Sequence, residues 1–180
     1  ESKITRDHTE IMLKSFGANI KITNKDNKKI IKIVGQKELF PQNIDVPNDL
    51  SSSAFFIVAA LINNNSHIIL KDINNNQTRN GLILALEKMG AKIILSNHRL
   101  NNDERICDME IKSSDLNGCD LGPEFADLMI DEYPILSVAA AFANSPSVFK
   151  GLSELKVKES DRLELIRLNL TSCGCECNVI

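Results

Sequence analysis

Thr78-Arg79-Asn80-Gly81-Leu82-Ile83-Leu84-Ala85-Leu86-Glu87-Lys88-Met89-Gly90-Ala91-Lys92-Ile93 decides the fold, because the chain writes this pattern more than once. Thr5-Arg6-Asp7 through Phe16-Gly17-Ala18-Asn19-Ile20 aligns on it without a gap, and Leu13 falls on Leu86. A weaker third copy ends in Leu170-Thr171-Ser172-Cys173-Gly174-Cys175-Glu176-Cys177. A second element repeats beside the first. Val58-Ala59-Ala60-Leu61 through Ser66-His67-Ile68 matches Val138-Ala139-Ala140-Ala141 through Ser147-Val148. Such self-similarity marks an architecture assembled from one supersecondary unit.

Each copy reads the same way. A polar cap (Thr5 or Asp7, Thr78 or Asn76) opens a helix, and Gly17, Gly90 or Gly174 closes it. In the last copy Leu163, Ile166, Leu170 and Cys173 step by three or four, the helical period. Runs such as Ile93-Ile94-Leu95 follow the glycine and read as strands. Upstream lie expected helices at 51–62 and 132–143, each followed by a strand, at 67–71 and 147–150. The order strand, helix, strand, helix, two strands makes an α/β protein of repeated βαβαββ units. Pro41 and Pro47 bracket an extended segment, Ile44-Asp45-Val46, which suggests a domain boundary near residue 45.

Composition excludes several classes. The 180 residues are 43% hydrophobic and 25% charged, ordinary for a globular protein. A net charge of −3 without a basic run argues against nucleic-acid binding. The longest apolar run, Ala54 to Ile62, is too short to span a bilayer and reads as a buried helix. Glu1-Ser2-Lys3 is neither an initiator methionine nor a signal peptide, and the chain stops within an expected strand. A piece of a longer protein is therefore expected. Five cysteines include the alternating Cys173-Gly174-Cys175-Glu176-Cys177, whose spacing suits one face of a strand better than zinc. Reduced thiols of this kind point to the cytoplasm. His8, His67 and His98 are scattered and form no metal-binding pair, so they read as structural or surface residues.

Three segments carry polar chemistry. Lys156-Val157-Lys158-Glu159-Ser160-Asp161-Arg162 opens the third repeat helix, where Lys158, Glu159 and Arg162 are spaced to share one helical edge. Cations at a helix start could hold a phosphorylated acid beside a proton-donating carboxyl, whereas alone such a run is as well explained by solvated salt bridges. Asp131 and Glu132, before Tyr133-Pro134, read as a helix cap and its helper or as a presented base. Taken alone, that segment favours the cap. Arg6 either binds phosphate or pairs with Glu10, four residues on. Ser51-Ser52-Ser53 after Asp49 looks like a helix cap.

Taken in order, these segments resemble the 5-enolpyruvylshikimate-3-phosphate synthase family, in wording closest to bacterial members. The resemblance rests on Thr5-Arg6-Asp7-His8-Thr9-Glu10, Phe16-Gly17-Ala18-Asn19, Ile44-Asp45-Val46-Pro47, Ser51-Ser52-Ser53-Ala54-Phe55-Phe56, Met89-Gly90-Ala91, Ile130-Asp131-Glu132-Tyr133-Pro134 and Lys156 through Leu163. It implies two similar domains, each of three βαβαββ units, with residues 1–45 ending the N-terminal one and 46–180 forming part of the C-terminal one. It implies transfer of the enolpyruvyl group of phosphoenolpyruvate to shikimate 3-phosphate by addition and elimination, with no metal or organic cofactor.

By that resemblance Asp131 contacts the reacting hydroxyl, and Glu159 exchanges protons with the methylene carbon of phosphoenolpyruvate. Lys158 and Arg6 bind shikimate 3-phosphate. Arg162 holds phosphoenolpyruvate where glyphosate competes. The full-length protein is expected to be a cytoplasmic monomer acting on these two small molecules. The family's remaining substrate contacts have no counterpart here, so the 180 residues alone are expected to be inactive. Two rivals stand beside this reading. The sister enzyme that uses UDP-N-acetylglucosamine is disfavoured by the Lys156–Arg162 run. A repeat-built binding module would gain ground if Asp131, Glu159 and Arg162 pointed to different faces.

Overall fold

The computed structural model describes residues 5–26 and 28–180. Residues 1–4 of the expected first domain lie outside the described residues.

The middle copy of the repeat is the most complete. Asn48 forms an isolated parallel bridge with Ile73, so residues 44–48 stand where the unit's first strand is expected. The helix α2 (Leu50–Ile62), the strand β3 (His67–Asn74), the helix α3 (Gly81–Lys88) and the strands β4 (Lys92–Asn101) and β5 (Glu104–Lys112) complete the expected order. The strands pair antiparallel in the order β3-β5-β4, with Ile69 and Ile94 both opposite Glu110. The copy before it contributes α1 (His8–Ser15) and the hairpin β1 (Asn19–Lys25) and β2 (Lys28–Val34). The copy after it supplies β6 (Asp120–Leu121), a 3-10 turn at Pro123–Phe125, α4 (Ala126–Met129) and α5 (Tyr133–Ala141). It continues with β7 (Val148–Phe149), which pairs parallel with β6, a second 3-10 turn at Ser153–Val157, and α6 (Arg162–Ser172).

Helix ends explain why the three copies share a sequence. Gly17, Gly90 and Gly174 adopt φ of +86°, +89° and +87°, a left-handed conformation that costs a side chain dearly. In each case the next residue donates its N–H five residues back: Ala18 to Leu13, Ala91 to Leu86 and Cys175 to Leu170. The chain thus leaves each helix through the same Schellman-type turn. At the other end of α2, Asp49 accepts the Ser52 N–H at 2.8 Å, so Asp49 rather than the serine run is the cap.

The core lies between helices and sheet. Ile57 and Leu61 of α2, Leu82 and Leu86 of α3, and Leu136 of α5 are fully buried in one cluster with Met109 and Ile111 of β5. Burying a Leu or Ile side chain contributes about 1.5–3 kcal/mol, so this contiguous cluster supplies most of the cohesion. Alternating burial along β5 places one face of the sheet on the helices.

The cysteine tail departs from expectation. Cys173 caps α6 and is exposed, and residues 175–180 form no strand. A strand needs a neighbour to take its backbone groups, and among the described residues none lies alongside.

Candidate active site

The site residues come from the first and third copies of the repeat, and the middle copy anchors the first. Arg6 precedes α1, whose first turn is tied to the central sheet: His8 Nδ1 lies 2.6 Å from Glu104 Oε1, and the buried Asn76 amide donates to Asp7 Oδ1 at 2.8 Å. That anchorage lets the Arg6 guanidinium reach across the molecule and donate to Asp131 Oδ2 at 2.8 Å. Asp131 sits in the turn between α4 and α5. Its other oxygen faces Arg162 Nη1 at 3.4 Å and Lys158 Nζ at 3.9 Å. Arg162 in turn donates to Glu159 Oε2 at 2.6 Å, and Lys158 pairs with Glu154 at 2.7 Å. Arg6, Asp131, Lys158, Glu159 and Arg162, which lie up to 156 residues apart in the chain, thus form one linked charge cluster. Divergence of Asp131, Glu159 and Arg162 would have favoured the binding module, and it does not occur.

Around Asp131 the electrostatics are dominated by cations. Partial burial works against ionisation of Asp131, but the Arg6 hydrogen bond and the charges of Arg6, Lys158 and Arg162 outweigh it and hold its carboxyl below the usual range. Glu159 is also lowered, first by its own backbone N–H and then by Arg162. Both carboxylates are therefore ionised near neutral pH. The cluster is an open face: the Glu159 side chain is 77% exposed. An open groove of about 410 Å³ lies instead between α2 and β3, lined by Asn48, Ser52, Phe56 and Lys71, and includes none of the five. A face of charges with room above it suits an anion better than an apolar ligand.

Two expectations about local geometry are corrected. Arg6 does not pair with Glu10, because Lys29 of β2 takes that carboxylate at 3.0 Å within the core. Lys158, Glu159 and Arg162 do not share a helical edge, because α6 begins only at Arg162. Asp161 caps it by accepting the Glu164 N–H at 3.0 Å, and Lys158 is extended. A tight turn after the 3-10 segment brings the three together, not the helical period. Glu132 is a third surprise. It stands at the N-cap position of α5 but makes no side-chain cap bond. Instead its carboxylate is buried, accepting from Ser51 Oγ and from Arg79 Nη2, the latter at 3.2 Å. Sequence reading passed over Arg79, although the alignment that singled out Arg6 places Arg79 at the equivalent position.

Among the described residues, no group of three or more His, Cys, Asp or Glu side chains is placed to hold a metal ion. No helix among them is long and apolar enough to cross a membrane.

The repeated unit is that of the enolpyruvyl transferase fold. The enolpyruvyl transferase NikO from Streptomyces tendae shares the fold at a TM-score of 0.54 and 15% identity, over 81% of this chain and 34% of that one. The family model described as EPSP synthase (3-phosphoshikimate 1-carboxyvinyltransferase) matches residues 1–180, and the chain belongs to that family. Among its relatives, the 3-phosphoshikimate 1-carboxyvinyltransferase of Brucella abortus (strain S19) is 48% identical over 178 residues, 98% of this chain and 40% of its own length. That of Pseudomonas sp. (strain PG2982) is 47% identical over the same shares. An EPSP synthase structure from Acinetobacter baumannii superposes with a TM-score of 0.91 at 41% identity, covering all of this chain and 40% of that one. The chain therefore spans about 40% of the length of the curated relatives it matches.

Proposed function

We propose that this chain contributes part of the active site of an enzyme that transfers the enolpyruvyl group of phosphoenolpyruvate to the 5-hydroxyl of shikimate 3-phosphate, releasing phosphate. Such a step would serve the shikimate route to chorismate and the aromatic amino acids. The observation that carries the reading is the Asp131 carboxylate held among Arg6, Lys158 and Arg162, with Glu159 tied to Arg162. Both proposed substrates are polyanions, and a preorganised cationic face is what stabilises their developing charge.

The roles proposed are those the family resemblance implies, and the contacts are compatible with them. Arg6 and Lys158 bind shikimate 3-phosphate, and Arg162 holds phosphoenolpyruvate. Once substrate binds, Glu159 takes up a proton from solvent; it then protonates C3 as the acceptor hydroxyl attacks C2 of phosphoenolpyruvate and gives its proton to Asp131. Collapse of the tetrahedral intermediate expels phosphate, which leaves with the proton that Asp131 had taken, and Glu159 takes the C3 proton back. The free site holds both carboxylates ionised. Arriving phosphate and carboxylate groups engage the same cations, weaken their hold on Asp131 and Glu159, and raise both toward working basicity. Residues 1–45 are inferred to end one globular domain and 46–180 to form part of a second, with the site between them. The 180 residues alone would then not turn over at a rate comparable to the full-length protein. That protein is inferred to be a cytoplasmic monomer, and glyphosate would compete at Arg162.

The test uses the full-length protein that carries this sequence. Phosphate release from phosphoenolpyruvate is followed with shikimate 3-phosphate and UDP-N-acetylglucosamine offered separately. Release with the first only, lost in Glu159→Gln, is the expected outcome. Release with the nucleotide sugar alone would move the activity to the sister reaction.

A further inference from the structure

Arg6 and Arg79 stand eleven residues before Gly17 and Gly90, at one position of the repeat. They grip consecutive carboxylates: Arg6 holds Asp131 at 2.8 Å, and Arg79 holds Glu132 at 3.2 Å. We propose that the buried Arg79–Ser51–Glu132 cluster is the positioning unit that aims Asp131 at the acceptor hydroxyl. The inference rests on the role given to Asp131 above.

Three observations carry it. First, Glu132 serves no helix cap, yet its side chain is only 1% exposed and binds two elements, Ser51 of α2 and Arg79 ahead of α3. Second, Ile130 and Glu132, on either side of Asp131, have right-handed helical φ and ψ. Consecutive side chains in such a turn diverge by roughly 100°. With Glu132 pinned inward, Asp131 is rotated toward Arg6, Lys158 and Arg162; were Glu132 to swing out, Asp131 would turn away from them. Third, Glu132 Oε2 and Arg79 Nε are buried without a hydrogen-bond partner. Apolar side chains could fill this space without leaving polar atoms unpaired, so cohesion alone does not account for a charged cluster here. What the cluster adds is direction, because the guanidinium and the hydroxyl fix one carboxylate orientation.

The experiment is made in the full-length protein. Arg79→Met leaves Glu132 buried without its cation, and kcat is expected to fall about 30-fold while KM for phosphoenolpyruvate stays within about twofold, since small misplacements of a reacting group act on the chemical step. A crystal structure of the variant should place the Asp131 carboxylate about 1 Å or more farther from Arg162. Adding Glu132→Leu removes the stranded carboxylate and should restore Tm, yet leave kcat low, because an apolar side chain supplies cohesion without a fixed direction. Glu10→Gln, which weakens the buried pair with Lys29 away from the site, should lower Tm and leave kcat unchanged. If Arg79→Met does not fold, Ser51→Ala removes only the bridging hydroxyl and should lower kcat with Tm nearly unchanged.

An undisplaced Asp131, a kcat that tracks only the folded fraction, or a double variant with wild-type kcat would each overturn the proposal. A wild type that releases no phosphate with shikimate 3-phosphate would overturn the functional reading instead, and the position of Asp131 in the variant's crystal structure would still decide this one.

Discussion

Arg6 and Arg79 are the same residue of two copies of one repeat, and the molecule uses them in opposite ways. The Arg6 side chain is 46% exposed and its partner Asp131 35% exposed. Arg79 is 18% exposed and Glu132 1%. An ion pair in water is screened, gains little, and can exchange one partner for another. A buried pair has given up its hydration and is costly to break from either side. The repeat therefore supplies the same cation twice, and burial under α2 decides which becomes scaffold and which stays available to an anion. Arg162 extends the comparison. It opens the third repeat helix one position earlier relative to its glycine, twelve residues before Gly174, and reaches the same Asp131 from the other side.

The sharpest way to break this contrast is thermodynamic. Arg79→Met should destabilise the full-length protein by about 3–5 kcal/mol in denaturant titration, because it strands a buried carboxylate. Arg6→Leu should cost no more than about 1 kcal/mol. Equal losses would erase the distinction. A smaller effect separates the two in function. Arg6→Leu should raise KM for the phosphorylated acceptor about tenfold with little change in kcat, as loss of one charge-assisted contact to phosphate predicts. A large fall in kcat with unchanged KM would instead assign Arg6 to the chemical step.

The smallest effect is on pH dependence. The carboxyl of Asp131 is held below its unfolded value, so its stabilising contribution is fully present above about pH 4 and is lost as pH falls through the folded pKa. Wild type should thus exceed Asp131→Asn in stability near neutrality and lose that margin in acid. At this exposure the margin should not exceed about 1 kcal/mol. A margin that grew as pH fell would mean that the cations do not stabilise the charged form.

Much of this was legible in the sequence because it is local. The ungapped match of residues 5–20 to 78–93 announced the repeated unit, and the three glycines announced its helix exits, since only the left-handed turn makes such a residue necessary. The order of elements from residue 44 to 112 followed from the same reading. Partner choice was not legible. Glu10 lies four residues from Arg6 but is claimed by Lys29, while Arg6 spans 125 residues to Asp131. Sequence spacing describes neighbours on one helix and says nothing about competition from another element. The inward turn of Glu132 was hidden for a related reason, because a carboxylate beside a helix start reads as a cap until a buried cation is known to face it. The alternating cysteines misled because alternation needs a pairing strand to become structure.

The central claim is that Asp131, held among three cations, is the group that meets the acceptor hydroxyl. Its most direct test is single-turnover phosphate release from phosphoenolpyruvate and shikimate 3-phosphate by the full-length protein, wild type against Asp131→Asn. The account predicts a rate lower by about 10²–10⁴-fold in the variant, with both substrates still bound, as expected for loss of a general base. Release at the wild-type rate from a folded Asp131→Asn protein would contradict it.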